Sequence, residues 1–230
     1  MKNFIVYAAA ALATISVSAP AAAEPILLSS TDIGSSFTLD FNGFTGDGTV
    51  AGLLGTALLT LTGTTADSYT FDYSVSNIST DPILTSRISG FGFNTDPNIS
   101  RASSTGTFTK VGTYSNAPNI GTVDVCFKSG GGNNCAGGGG GGVNMGQTGT
   151  GSLTLNFAAP LTSLALNDFF VRYQSITGAG TVSSAVGTGT VTSSSSGGTQ
   201  VPEPGVVGLF ALGVLGLGIG LGRRQNRKTA

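Results

Sequence analysis

Residues 68–75, Ser-Tyr-Thr-Phe-Asp-Tyr-Ser-Val, decide the fold class of this chain, because apolar and polar side chains alternate at every position. Tyr69, Phe71, Tyr73 and Val75 form one set, and the polar residues between them form the other. Successive side chains of a strand point to opposite faces, so a period of two predicts a strand with one face in a core and the other in water.

The same alternation recurs on both sides of this stretch. Short runs of this kind are separated by clusters of Gly, Asn, Asp and Ser, which are typical of turns. The pattern predicts an all-β domain, an antiparallel sandwich or jelly roll of about eight to ten strands. The runs cover residues 37–41, 59–61, 88–93, 123–127, 153–157 and 164–176, with a weaker one over 182–191.

The N-terminus has the features of a secretory signal peptide. Lys2 is followed by an uncharged, mostly apolar run over 4–17 and then by Ala21-Ala22-Ala23. Small residues before the cut, here Ala21 and Ala23, are what signal peptidase requires. We expect a signal peptide over 1–23 and a mature chain that starts at Glu24.

The C-terminus combines a short polar motif, an apolar span and a basic tail. Val201-Pro202-Glu203-Pro204 precedes the uncharged stretch 205–221, which as a helix would be roughly 25 Å long, the short end of a membrane span. The prolines hold Glu203 in an extended, cleavable conformation. The positive-inside rule places the tail in the cytoplasm and the preceding chain outside. The basic residues of the tail are Arg223, Arg224, Arg227 and Lys228. Between the termini we expect a β domain over 24–192 and a Ser/Gly linker over 193–200.

This C-terminal order closely resembles the PEP-CTERM signal of Gram-negative bacteria, over about 201–228. The resemblance implies that exosortase, a membrane protease-transpeptidase, recognises Pro202-Glu203-Pro204. It also implies a transient stay in the inner membrane, followed by passage to the cell surface or extracellular matrix, in a setting of exopolysaccharide and biofilm formation. The segment 166–175, with the Cys126–Cys135 loop and its glycines, is similar to the cistern subgroup, which has no activity that a resemblance could transfer.

The charges and missing residue types exclude several classes of function. Residues 24–203 carry five basic against eleven acidic side chains, a net charge of −6, so nucleic-acid binding is not expected. Without His, neither a Ser-His-Asp nor a Cys-His site can form. The oxygen-rich turns at Asp47-Gly48 and 94–98 are explained by turn chemistry, and we expect no metal and no cofactor. The candidate carboxylates for a glycosidase are Asp40, Asp72, Asp124 and Asp168, and alternation favours Asp72 and Asp124 as surface charges.

Two cysteines and a glycine run mark one loop region. In an exported protein, Cys126 and Cys135 most simply form one disulfide. Gly137 to Gly142 lacks the Gly-Lys-Ser/Thr sequence of a phosphate-binding loop, and we expect a flexible loop with disorder across 128–151.

Segment 166–175 offers two functional hypotheses and one structural interpretation. Arg172 could pair with an acidic group and Tyr173 could stack on a sugar, but a central strand with one buried face is the better interpretation. We therefore expect a structural or adhesive domain and not an enzyme. The alternatives are a carbohydrate-binding module, which needs an exposed aromatic platform, and a glycan-active enzyme, which needs two carboxylates converging in a cleft.

Overall fold

A computed structural model describes residues 25–46, 48–118, 120–136 and 140–195, and shows an all-β domain of twelve strands. Nine strands have eight residues or more, within the expected eight to ten, and three short ones have no sequence pattern of their own. In chain order the strands are β1 (Ile26–Leu28), β2 (Ser36–Thr45), β3 (Gly48–Thr64), β4 (Ser68–Asn77), β5 (Thr85–Asp96), β6 (Arg101–Ser104), β7 (Lys110–Ala117), β8 (Gly121–Lys128), β9 (Val143–Asn144), β10 (Thr148–Asn156), β11 (Leu164–Thr177) and β12 (Ser184–Ser194).

The predicted signal peptide 1–23, most of the linker 193–200 and the sorting segment 201–228 lie outside the described residues. Within the described part, the structure has no helix with the length and apolar character needed to cross a bilayer.

All the strands belong to one continuous antiparallel sheet. Ten of them follow the order β6-β10-β4-β3-β2-β12-β11-β5-β8-β7, while β1 pairs with β11 and β9 with β5. The sheet folds over, because β4 and β5 are distant in this order yet their rings meet: the centroids of Tyr73 and Phe91 are 5.1 Å apart. The two layers expected of a sandwich are thus halves of one sheet facing each other across the core.

The stretch that predicts the fold lies at the centre of that core. Tyr69, Phe71, Tyr73 and Val75 are each at most 3% exposed, which confirms the strand prediction for 68–75. Across the fold, Tyr73 contacts Phe91 of β5, and β5 in turn contacts β8 and β11 through Phe127 and Phe169.

A bulge in β11 brings its apolar residues to the core. Leu166 and Phe169 are three residues apart and both buried in the main core, which a regular period of two does not allow. The pairing with β5 shifts between Asn167 and Phe170, and Asp168 takes up the extra position with φ of 48°. Phe170 consequently lies on the outer face, in a second, smaller core with Cys126 and Cys135.

Both chain ends leave the domain in the same half of the sheet. β11 and β12 are antiparallel, with Phe170 paired to Thr188, so the end of β12 lies beside the start of β11. Ile26 pairs with Leu166, and the Ser195 amide donates to the Ser36 carbonyl at 3.0 Å. The first and last described residues, Pro25 and Ser195, therefore lie in the same half of the sheet.

Candidate functional site

The outer sides of β2, β3, β4 and β10 form a surface dominated by hydroxyl groups, called the hydroxyl face below. Register pairing aligns these side chains in rungs, in which the exposed Leu58 lies between Thr38 and Ser74, and Asp72 lies between Thr60 and Ser152. The four strands contain no Lys or Arg, and Asp40 and Asp72 are their only charged residues. The hydroxyl face comprises Ser36, Thr38, Thr56, Thr60, Thr70, Ser74, Ser76, Thr148, Thr150, Ser152 and Thr154.

Hydrogen bonds between strands fix several of these side chains. Because neighbouring strands lie about 4.8 Å apart, paired Ser and Thr side chains reach each other directly. Each hydroxyl keeps further donor or acceptor capacity for a ligand. The bonds join Ser36 Oγ to Thr60 Oγ1 (2.8 Å), Ser76 Oγ to Thr148 Oγ1 (2.7 Å) and Thr70 Oγ1 to Thr154 Oγ1 (3.2 Å), and Ser152 Oγ donates to Asp72.

Aromatic side chains do not contribute to the surface of the described residues. All fifteen Phe and Tyr residues in this part of the chain are buried. The hypothesis that Tyr173 stacks on a sugar is wrong, because its side chain is 0% exposed and points into the core. Its hydroxyl has no hydrogen-bond partner there, and burial raises its pKa. A stacking platform of the kind used by carbohydrate-binding modules is thus absent from the described surface.

The four candidate carboxylates lie on four different strands. Asp40 is on β2, Asp72 on β4, Asp124 on β8 and Asp168 on β11. Only the last two share a neighbour: Asn94 donates to Asp168 Oδ2 at 3.0 Å and accepts from the Asp124 amide at 2.8 Å.

A groove of about 370 Å³ among the described residues opens between Val50, Pro82, Ala179 and Val182, and none of the four carboxylates is in its described lining. Within the described ranges, no three His, Cys, Asp or Glu side chains come together as a metal site.

The predicted disulfide between Cys126 and Cys135 is present, and both residues are buried. The loop that the disulfide closes is held in place by Lys128, which is only 3% exposed. Its Nζ donates to the carbonyl oxygens of Gly131 at 3.0 Å and Asn134 at 2.8 Å. The expected disorder across 128–151 is wrong for residues 128–136 and 140–151, which include this loop, β9 and the start of β10.

Two arginines hold the carbonyl groups that follow the loop. Arg172 Nε donates to the Ala136 carbonyl at 2.6 Å and Nη2 to Ser184 Oγ at 3.0 Å, so the predicted pairing of Arg172 with an acidic group is wrong. Burial lowers the pKa of Arg172. Arg87 Nη1 donates to the Gly141 carbonyl. β11 lies between β5 and β12, so the interpretation of 166–175 as a central strand is confirmed, but Phe170 is buried on the second face of the strand as well.

Sequence reasoning missed this use of Lys128 and Arg87. The available signal for Lys128 was its position inside the loop that the two cysteines close, close to Gly130-Gly131-Gly132. Arg87 is 54 residues from Gly141 in the sequence, so no local signal pointed to its role. The hydroxyl face was visible as alternating Thr and Ser, but its extent depends on the strand order.

Comparison with known proteins identifies the C-terminal segment. Residues 200–228 match the PEP-CTERM protein-sorting motif. No curated protein and no solved structure matches the chain. The motif supports an exported protein that is targeted to exosortase and passes through the membrane to the cell surface. The matched range includes all the predicted sorting residues, whereas membership of the cistern subgroup stays a prediction.

Proposed function

We propose that the exported domain is a structural or adhesive protein of the cell surface or extracellular matrix, which binds the producer's exopolysaccharide through the hydroxyl face and does not hydrolyse it. The observation that carries this proposal is an ordered array of Ser and Thr hydroxyls on four cation-free strands. Sugar hydroxyls are matched donors and acceptors for such an array. Each contact is weak, and many copies on one surface make the sum effective.

The buried aromatic residues and dispersed carboxylates favour this mode of binding over the alternatives. A stacking carbohydrate-binding module would use Tyr or Phe side chains that are inside the core here. A retaining glycosidase would need carboxyl groups roughly 5 Å apart across a bound sugar. Asp72 instead accepts a hydrogen bond from Ser152 on the hydroxyl face, far along the sheet order from Asp124 and Asp168.

Binding can be tested with purified residues 24–200 by affinity electrophoresis through gels that contain the exopolysaccharide. The triple variant Thr60→Val/Thr70→Val/Thr154→Val removes three hydroxyls and keeps the side-chain shape and strand propensity. At about 0.5–1.5 kcal/mol per hydrogen bond, we expect at least a tenfold loss of affinity. Thr162→Val, an exposed position in the connection between β10 and β11 and outside the rungs of the face, is the control and should bind like wild type. Equal retardation of the triple variant and wild type would reject the hydroxyl face as the binding surface.

Catalysis is tested on the same material by following the chain length of the polysaccharide. We expect no shortening. Shortening that disappears with Asp72→Asn, Asp124→Asn or Asp168→Asn would replace this proposal with a glycan-active enzyme.

The route to the surface completes the proposal. Signal peptidase cuts after Ala23, the 205–221 span holds the chain in the inner membrane, and exosortase cuts near Pro202-Glu203-Pro204. Glu203→Ala, or deletion of 223–228, should trap a longer species in the inner membrane fraction. Unchanged mass and surface delivery in both variants would count against this route.

A further inference from the structure

The centre of the hydroxyl face is the apolar side chain of Leu58. It is 42% exposed, and it is the one large apolar side chain that is exposed in the described residues of the four strands. Register pairing places it between Thr38 of β2 and Ser74 of β4, and Thr56 and Thr60 lie two residues away along β3. Leu58 is therefore ringed by four residues with hydroxyl groups.

Three of these four hydroxyls are open to a ligand. The side-chain hydroxyls of Thr38, Thr56 and Ser74 have no hydrogen-bond partner among the described residues. Leu58 explains this for Thr38 and Ser74, because a Leu side chain offers its cross-strand neighbours neither a donor nor an acceptor. Farther out on the face, hydroxyls bond to each other across the strands. Open hydroxyls thus surround the apolar centre.

The two carboxylates of the hydroxyl face flank Leu58 on opposite diagonals. Asp40 pairs with Thr56 and Asp72 pairs with Thr60, so each carboxylate is one strand over and two residues along from Leu58. Diagonal neighbours of this kind are roughly 7–8 Å apart. Both aspartates are exposed, and the four strands contain no Lys or Arg to offset them. An anionic group placed over Leu58 would be repelled from two sides.

We propose that Leu58 is the centre of a subsite for one uncharged sugar of the exopolysaccharide, an inference that rests on the proposed function. A pyranose ring has C–H groups on its faces and hydroxyls around its rim. Over Leu58, the C–H groups pack on the apolar side chain, and the rim hydroxyls bond to Thr38, Thr56 and Ser74. Leu58 supplies the apolar contact that an aromatic ring gives in a stacking module. The two flanking carboxylates exclude sugars that carry carboxylate or sulfate groups.

Affinity electrophoresis of purified residues 24–200 measures this preference. The segment contains every buried core residue of the described domain, from Ile26 to Val186. The gels contain either the neutral or the acidic fraction of the producer's exopolysaccharide, separated by anion exchange. We expect the neutral fraction to retard the wild-type protein and the acidic fraction to retard it much less.

Leu58→Thr tests the apolar contact against a simple count of hydroxyls. The variant completes a row of hydroxyls from Thr38 to Ser74 and keeps a side chain that suits a strand. We expect its affinity for the neutral fraction to fall by about threefold to tenfold, because the sugar loses its apolar contact. Leu84→Thr, at a more exposed position outside the face, is the control and should bind like wild type.

Asp40→Asn/Asp72→Asn tests the exclusion of charged sugars. At low salt, affinity for the acidic fraction should rise by about threefold to tenfold, because two charges roughly 7–8 Å from the subsite centre no longer repel it. Affinity for the neutral fraction should stay within about twofold. Asp81→Asn/Asp96→Asn removes the same net charge at exposed positions outside the face, and should leave binding to the acidic fraction unchanged.

Three results would overturn the subsite, and they are distinguishable. If Leu58→Thr binds the neutral fraction as tightly as wild type or more tightly, while Thr60→Val/Thr70→Val/Thr154→Val loses binding, the hydroxyl face binds the polysaccharide but Leu58 is not its centre. Preferential binding of wild type to the acidic fraction contradicts the exclusion of charged sugars. If neither fraction retards wild type, the proposed function fails and the subsite fails with it.

Discussion

The two halves of the sheet differ in how their outer surfaces are built. The hydroxyl face lies on β2, β3, β4 and β10, and the charged face, the outer side that carries Lys110, Lys128 and Arg172, lies on β5, β7, β8 and β11. On the hydroxyl face, short side chains bond to their neighbours across the strands. On the charged face, a disulfide-closed loop lies over Phe170 and Cys126, and Lys128 and Arg172 hold its carbonyl groups.

This difference shows where long-range packing matters. The hydroxyl face depends mainly on the correct strand order, because paired hydroxyls such as those of Ser36 and Thr60, or Thr70 and Thr154, bond directly across the strands. The charged face depends on single positions, and Gly92 is the clearest: an added Cβ would lie 2.3 Å from the Val125 carbonyl oxygen and 2.6 Å from Phe170 Cε1. Substitutions should therefore cost more on the charged face than on the hydroxyl face.

Gly92→Val should have the largest effect, because Val must displace both the β8 backbone and the Phe170 ring. We expect a loss of about 3 kcal/mol or more in the free energy of unfolding, measured by urea denaturation. Gly63→Val on β3 is the matched control, since nothing lies within 4 Å of its added Cβ. The contrast between the two faces fails if both variants lose the same stability.

Removal of the disulfide should come next. Cys126 and Cys135 are nine residues apart, and opening a loop of this size should cost about 2–3 kcal/mol by the chain-entropy model. The Cys126→Ser/Cys135→Ser variant is compared with wild type by urea denaturation. Intact mass after alkylation of non-reduced wild type should show no free thiol, and two labelled thiols in freshly exported protein would refute the bond.

Lys128→Met should be less destabilising, at about 1–3 kcal/mol. Met keeps the length of the side chain but leaves the Gly131 and Asn134 carbonyls without their buried donor. Lys110 is the exposed residue that pairs with Lys128 on the neighbouring strand β7. Lys110→Met should change the free energy of unfolding by less than about 0.5 kcal/mol. Hydrogen exchange should rise within 129–136 in Lys128→Met alone; unchanged protection there would show that Lys128 does not hold the loop.

Two buried tyrosines, one from each half of the sheet, give the comparison with the smallest expected change in the free energy of unfolding. Tyr73 Oη donates to the Thr105 carbonyl at 2.7 Å and accepts from the Phe108 amide at 3.0 Å, so Tyr73→Phe should cost about 1–2 kcal/mol. Tyr173 Oη has no hydrogen-bond partner among the described residues, so Tyr173→Phe should leave the stability unchanged or raise it by about 1 kcal/mol. A loss in Tyr173→Phe equal to that in Tyr73→Phe would show that the Tyr173 hydroxyl is hydrogen-bonded in the folded protein.

Sequence periodicity predicted the hydroxyl half well and the charged half only in part. Alternation in 68–75 and 153–157 is local, so it directly gave β4 and β10 and their buried faces. It could not show that Thr70 and Thr154 are neighbours, because 84 residues separate them and only the sheet order joins them.

The charged half departs from the simple period at several places. The bulge at Asp168 shifts the buried set of β11, and Gly92 contributes by lacking a side chain. The two cysteines predicted the disulfide correctly, because spacing and compartment suffice for that. The partners of Lys128 and Arg172 are backbone carbonyls, whose positions depend on the path of the loop and not on residue type.

The central claim is that the exported domain works by contact through its hydroxyl face, and cohesion of the producing cells tests it most directly. A deletion strain is complemented with wild type, with Thr60→Val/Thr70→Val/Thr154→Val, or with Thr162→Val, at equal surface amounts, and sedimentation of the cells is measured. We predict that wild type and Thr162→Val restore cohesion and that the triple variant does not. Full restoration by the triple variant, or normal cohesion in the deletion strain itself, would contradict the account.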